Sequence, residues 1–145
     1  MNIVITGGSG FVGSYLCERL INDGHNLIVV DNLLTGSTEN ISDLMDNDNF
    51  SFIEHDVQNH IEIENKVDYV LHFASAASPK AYTEHPVNTL KAGSIGTLNT
   101  LGLAKKHNSQ YLLASTSEVY GDPLISPQNE ESVSYTHLTL PTKAS

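Results

Sequence analysis

Ile3-Val4-Ile5-Thr6-Gly7-Gly8-Ser9-Gly10-Phe11-Val12-Gly13 is the stretch whose reading decides the fold. Three apolar residues predict a short buried strand. A glycine-rich turn follows, and then a helix with well-spaced apolar residues. A bound pyrophosphate explains this order. Gly7 allows a sharp turn where a Cβ would clash. Gly10 lets the backbone approach phosphate oxygens, and Gly13 lets the helix lie close on the strand. The free N–H groups at the helix start point at the anion, and the helix dipole favours it. A purely structural strand-to-helix turn is the plainer alternative. The strand before the turn and the helix after it favour the phosphate reading.

Working outward, the helix is expected from Phe11 to about Asp23, with Val12, Leu16 and Leu20 as its apolar stripe and Gly24 as its terminator. Leu27-Ile28-Val29-Val30 reads as a strand buried on both faces, ending at Asp31. Asp31 lies 18 residues after Gly13. A carboxylate there can accept hydrogen bonds from an adenosine ribose and repels a 2′-phosphate. Asn32 and Leu33 follow, with no arginine to welcome that phosphate. The implied cofactor is therefore NAD rather than NADP; a solvated turn aspartate is the alternative.

Thr35-Gly36-Ser37-Thr38 reads as a polar loop, Ile41 to Met45 as a short helix and Asp46 to Asn49 as a turn. Phe50 to Glu54 reads as the third strand, followed by His55-Asp56-Val57. Val67 to Phe73 reads as the fourth, followed by the small residues Ala74-Ser75-Ala76-Ala77-Ser78. Small side chains there let a cofactor and substrate pass close to the backbone. Pro86 suits the first turn of a long helix to about Lys106, with Leu90, Ser94, Leu98 and Leu101 on one face. Gly93, Gly96 and Gly102 within it cost about 1 kcal/mol each against alanine, which close packing on the sheet is expected to offset. Tyr111 to Ala114 reads as the fifth strand. Alternating strands and helices imply right-handed crossovers and an α/β, doubly wound parallel sheet of order three-two-one-four-five, with ligands over the carboxyl ends.

The 145 residues suffice for one domain. A formal net charge of -10 argues against nucleic acid or an anionic membrane surface as partner. One cysteine, Cys17, excludes an internal disulfide and a cysteine metal cluster, and reads as a small apolar residue of the first helix. The seven histidines show no metal-ligand spacing, so no metal is assigned. No stretch approaches a membrane span and no leader pattern precedes the first strand, so a reducing cytoplasm is the expected setting.

Thr6-Gly7-Gly8-x-Gly10-Phe11-x-Gly13 resembles the extended short-chain dehydrogenase/reductase family, the NAD-dependent epimerase/dehydratase branch that modifies nucleotide sugars. Three further stretches resemble the UDP-glucuronate decarboxylases within it: Asp31-Asn32-x-x-Thr35-Gly36, Leu98 to Lys105, and Leu113 to Pro123 with Ser115-Thr116-Ser117-Glu118-Val119-Tyr120-Gly121 at its centre. The resemblance covers residues 1 to 131 and implies a Rossmann fold truncated after about the fifth strand. It implies UDP-glucuronate as substrate, oxidised at carbon 4 by NAD so that the carboxylate is easily lost, and a homodimer for the full-length protein. By position, Gly7, Gly10, Phe11, Val12 and Gly13 would hold the pyrophosphate. Asp31, Asn32, Thr35 and Gly36 would hold the adenosine ribose and its phosphates. Asp56 and Val57 would meet the adenine, and Ala74, Ser75 and Ala76 would line the middle of the cofactor. Thr116 would partner the catalytic base, with Ser117 and Glu118 beside the sugar.

Two departures stand out. Gly93 replaces the family's usual asparagine. More seriously, the catalytic pair is missing. This chemistry needs a tyrosine with a lysine four residues later, whose charge lowers the phenol pKa. Four residues after Tyr15, Tyr69, Tyr82, Tyr111, Tyr120 and Tyr135 stand Arg19, Phe73, Pro86, Ser115, Leu124 and Thr139. Residues 132–145 resemble adapter-derived sequence rather than the family, so the expected family portion ends near Glu131. A sister dehydratase or 4-epimerase is the second enzymatic reading. Thr116-Ser117-Glu118, in place of a Thr-Asp-Glu triplet, leans to the decarboxylase. A nucleotide-binding module without catalysis is the third.

Overall fold

The computed structural model describes residues 1–120 and 126–128, the side chains of Glu118 and Val119 excepted. The chain divides into two compact units, Met1–Ala114 and Ser115–Ser145.

The first unit is a five-stranded parallel sheet. Its strands are β1 (Asn2–Thr6), β2 (Asn26–Asp31), β3 (Phe50–Glu54), β4 (Tyr69–His72) and β5 (Gln110–Leu113). Their spatial order is β3-β2-β1-β4-β5, as expected. The register aligns Ile5 with Val29 on one side and with Leu71 on the other. Strand order reverses between β1 and β4, the point at which doubly wound sheets take ligands at their carboxyl ends.

Alternation along the strands feeds two cores, one on each face. Val4, Val30 and Val70 pack with Val57, Ile61, Ile63, Leu103 and Ala104. Ile3, Ile5, Leu27 and Val29 pack with Cys17, Ile41 and Phe50. The central strands are thereby covered on both sides, which is why β2 reads as an unbroken apolar run, while the edge strands β3 and β5 stay largely exposed.

Helix α1 (Phe11–Asn22) starts where expected and ends with Asp23 as its cap. Gly24 follows at φ +80, a left-handed position that terminates the helix. The buried stripe of α1 differs from the expected one. Gly13 and Cys17 form it, flanked by Leu16, Leu20 and Ile21, while Val12 is exposed. The reason is the closeness of the turn: Gly13 occupies the contact, and a residue one position earlier points away.

The polar segment after β2 is a 3-10 helix over Thr38–Leu44, with the Ser37 hydroxyl accepting from the Glu39 N–H. It starts three residues before the expected Ile41, and Ile41 is its buried residue. A short helix not foreseen, α2 (Pro79–Glu84), is nucleated by Ser78, whose hydroxyl accepts from the Ala81 N–H, and by Pro79 at its first turn.

The long helix is real but interrupted. It comprises α3 (Pro86–Lys91), a π-helical turn (Ala92–Gly96) and α4 (Thr97–His107), and ends at Asn108 in the left-handed conformation. The face of Leu90, Ser94, Leu98 and Leu101 does not meet the sheet. Leu90 is 72% exposed and Leu98 69%. Gly96, Thr100, Leu103 and Ala104 meet it instead. The expected offset for the helical glycines holds at Gly96 alone, where a Cβ would lie 2.7 Å from Val57 Cγ2. Gly93 and Gly102 border open space.

Of the second unit, a 3-10 turn over Ser117–Tyr120 is described. Residues 132–145, the expected adapter-like tail, lie outside the described residues.

Candidate functional site

The opening turn is built around three contacts that leave no room for side chains. Gly7 has φ +76, and a Cβ there would lie 2.7 Å from the Ala74 nitrogen and the Phe73 carbonyl carbon. A Cβ on Gly13 would stand 2.2 Å from the Gly7 carbonyl oxygen. A Cβ on Gly36 would stand 2.9 Å from the Ser9 carbonyl. Gly10 caps α1 with extended backbone and offers no side chain to its first N–H groups. An α-helix leaves those groups without intrahelical partners. Beside them stands Phe11, which is 79% exposed and meets Tyr15 edge-on at 5.5 Å.

Asp31 lies against this turn. It is 8% exposed, so it is not a solvated turn residue. Its Oδ2 accepts the Ser9 N–H at 3.0 Å and its Oδ1 accepts the Leu33 N–H at 2.9 Å. Each oxygen keeps a further acceptor position. The second of these bonds holds Leu33 at φ +57, an uncommon conformation for a branched side chain. Asp31 therefore fastens the glycine turn to the end of β2. Beneath the same turn the Cys17 thiol is pushed up to about 12 by burial, with the Asp31 carboxylate adding to the effect.

The loop after β2 is tied back to the same place. Ser37 N–H and Asn40 Nδ2 both donate to the Ser9 carbonyl, at 3.2 and 2.8 Å. Asn32 Nδ2 donates to Asp56 Oδ2 at 3.1 Å, joining the loops that follow β2 and β3. Thr35 is exposed and Gly36 half-buried. Val57 is packed into the core, so toward a ligand it offers main chain rather than side chain. Ala74 sits directly against Gly7, Ser75 is exposed and Ala76 is buried.

The structure thus brings together the glycine turn, Asp31, Gly36, Asn32, Asp56 and Ala74 of the first unit. Thr116 and Ser117 belong to the second unit and are exposed. The Glu118 side chain lies outside the described residues. Among the described residues no three His, Cys, Asp or Glu side chains gather as a metal site. No helix of the described chain is long and apolar enough to cross a membrane.

Two buried or bridging residues next to these loops were not foreseen. His72 ends β4 with its ring buried, and Asn99 reaches from α4 to the loop after β3. The signal for the first was a polar residue inside an apolar strand. For the second there was none, because a helix polar residue reads as solvated.

Residues 3–142 match the NAD dependent epimerase/dehydratase family. The UDP-glucuronic acid decarboxylase 1 of Danio rerio is 54% identical over 129 residues, covering 89% of this chain and 30% of that protein. The UDP-glucose 4-epimerase of Thermotoga maritima, solved with UDP-glucose, superposes with TM-score 0.78 at 33% identity over 92% of this chain and 44% of its own. The UDP-glucose 4-epimerase of Bifidobacterium longum, solved with NAD+ and UDP, does so with TM-score 0.77 at 28% identity over 90% and 42%. The chain therefore spans about a third of the decarboxylase it matches. It belongs to the NAD dependent epimerase/dehydratase family.

Proposed function

We propose that this member of the NAD dependent epimerase/dehydratase family is the NAD-binding part of a UDP-glucuronate decarboxylase and, as a 145-residue chain, binds the dinucleotide without turning a substrate over. One observation carries the binding half. The turn is closed to any side chain at Gly7 and Gly13, while no side chain caps the N-terminus of α1. A diphosphate fits such a cradle, since main-chain N–H groups and the helix dipole need no side-chain cation to hold it.

Asp31 supports NAD over NADP. Its spare acceptor positions suit a ribose diol, and its charge opposes a 2′-phosphate. Asn32, Thr35 and Gly36 would join it at the ribose and its phosphates, and Asp56 with the Val57 main chain would meet the adenine. Ala74, Ser75 and Ala76 line the path toward the sugar. When bound, NAD supplies reversible hydride acceptance at carbon 4 of the sugar. In the chain itself Thr116 would hold a sugar hydroxyl, with Ser117 and Glu118 beside it.

The absence of a Tyr-x-x-x-Lys pair in the sequence supports the loss of turnover, because no lysine stands four residues after a tyrosine to help its phenol take the hydroxyl proton. The 54% identity to a decarboxylase favours that reaction over dehydration or epimerisation. The exposed Val87, Leu90, Leu98 and Leu101 support pairing of two copies along this helix in the full-length protein. A single cysteine supports a reducing, cytoplasmic setting.

Calorimetric titration tests the reading. NAD should bind, and NADP about tenfold or more weakly. Asp31→Ala should weaken NAD binding by about one to two powers of ten, as charge-assisted hydrogen bonds contribute about 1.5–3 kcal/mol. UDP-glucuronate should remain unconverted; measurable UDP-xylose would refute the second half.

A further inference from the structure

The interrupted helix touches both loops that would face the two halves of a dinucleotide. One contact is His72, 2% exposed. Its Nδ1 lies 2.6 Å from Thr6 Oγ1, and its ring is also hydrogen-bonded to the Ala92 main chain. Burial holds its pKa below the ordinary 6.5, so the ring is neutral at neutral pH. One proton arrangement satisfies every group. Nε2–H donates to the Ala92 carbonyl, Nδ1 accepts the Thr6 hydroxyl proton, and Thr6 Oγ1 accepts the Ala74 N–H at 3.4 Å. Ala92 opens the π turn, where the wider ring of main-chain bonding tilts a carbonyl out of the helix ladder.

The other contact lies one to two turns on. Gly96 lets the helix press against Val57. Asn99 Nδ2 donates to the Val57 carbonyl at 2.8 Å and to the Asn59 carbonyl at 3.0 Å. The π turn sits between these two attachments and sets their spacing along the helix.

We propose that His72 and Asn99 are positioning residues, through which one helix fixes both the Ala74–Ala76 loop and the Asp56–Asn59 loop and so sets the separation of the two walls between which a dinucleotide lies. The proposal rests on the dinucleotide reading above. It assigns separate halves of the ligand to separate residues. Asn99 governs the adenosine half; His72 governs the half beyond the diphosphate.

The test titrates NAD and ADP into the full 145-residue chain and its variants. Asn99→Ala should weaken both ligands alike, by about tenfold, the worth of one or two hydrogen bonds. His72→Leu should weaken NAD by a similar factor and leave ADP unchanged. His72→Gln, with one donor and one acceptor, should restore most of the loss. Thr6→Val removes the same relay and replaces His72→Leu if that variant fails to fold. Equal losses of NAD and ADP in His72→Leu, or none in either variant, would overturn the assignment. Hydrogen exchange without ligand gives a second readout. The Ala74 amide should exchange faster in His72→Leu alone, and the Asn59 amide faster in Asn99→Ala alone. If the parent chain binds neither NAD nor ADP, the dinucleotide reading fails by itself, and the exchange pattern still decides the clamp: uniform acceleration refutes it.

Discussion

Glycine means opposite things in the opening turn and in the long helix. At Gly7, Gly8 and Gly13 an added Cβ would come within 3 Å of backbone or of the Val29 side chain. At Gly93 and Gly102 it would meet nothing within 4 Å. In the turn, the missing side chain is replaced by another part of the protein. In most of the helix it is replaced by solvent. A glycine is therefore diagnostic of a site only through what fills its vacancy, and spacing along the chain reports that filling well at a strand-to-helix turn and poorly on a helix.

The largest effect that sharpens this contrast is at Gly13. Gly13→Ala should cost about 3 kcal/mol or more, since a carbonyl oxygen 2.2 Å away belongs to backbone that the sheet holds in place. Urea unfolding checks this, and a change under 1 kcal/mol would mean that α1 can slide off the turn. Next comes a matched pair. Gly7 and Gly24 have nearly the same φ, +76 and +80, but only Gly7 is crowded. Gly24→Ala should cost the left-handed strain alone, about 1–2 kcal/mol, and Gly7→Ala clearly more. Equal costs would show that conformation, not crowding, selects glycine in the turn.

A smaller effect concerns the joint between the two regions. The unfolded imidazole of His72 titrates near 6.5 and the folded one lower. Between those values the unfolded chain binds more protons, so stability falls as pH drops through about 6.5 and levels off below the folded value. Urea midpoints measured from about pH 8 to about pH 5 should show this slope, and His72→Gln should lose that part of it. Smallest, and opposite in sign, Gly102→Ala should stabilise the protein by up to about 1 kcal/mol, read as a rise in thermal midpoint. A loss of stability there would mean that the open side of α4 is covered in solution.

The sheet order was legible because each strand is a compact apolar run bounded by polar residues, and parallel strands buried on both faces need little else. β3 falls on Phe50–Glu54 as the apolar run indicated, whereas β4 is shorter than its run, since Val67 packs in the core without pairing. The helix face was misread for a physical reason. Leu90, Leu98 and Leu101 carry the apolar periodicity, but the sheet takes the small and β-branched face of Gly96 and Thr100, which permits close approach. Within the site, the glycine positions and Asp31 could be found from spacing. That Asp31 also accepts the Ser9 N–H could not, because it depends on two loops meeting 22 residues apart. Asn99 was hidden likewise, and of His72 only its polarity inside an apolar strand was visible, since the partners of both lie on other elements.

The bond from Ser9 to Asp31 has a consequence for anyone wishing to redesign coenzyme choice. On the proposed reading of Asp31, admitting the extra phosphate calls for deleting that negative charge, and the deletion strips the turn of its fastening in the same stroke. Selectivity and scaffold would then share a single carboxylate. A successful swap has to install a substitute acceptor for the orphaned amide before it installs an arginine.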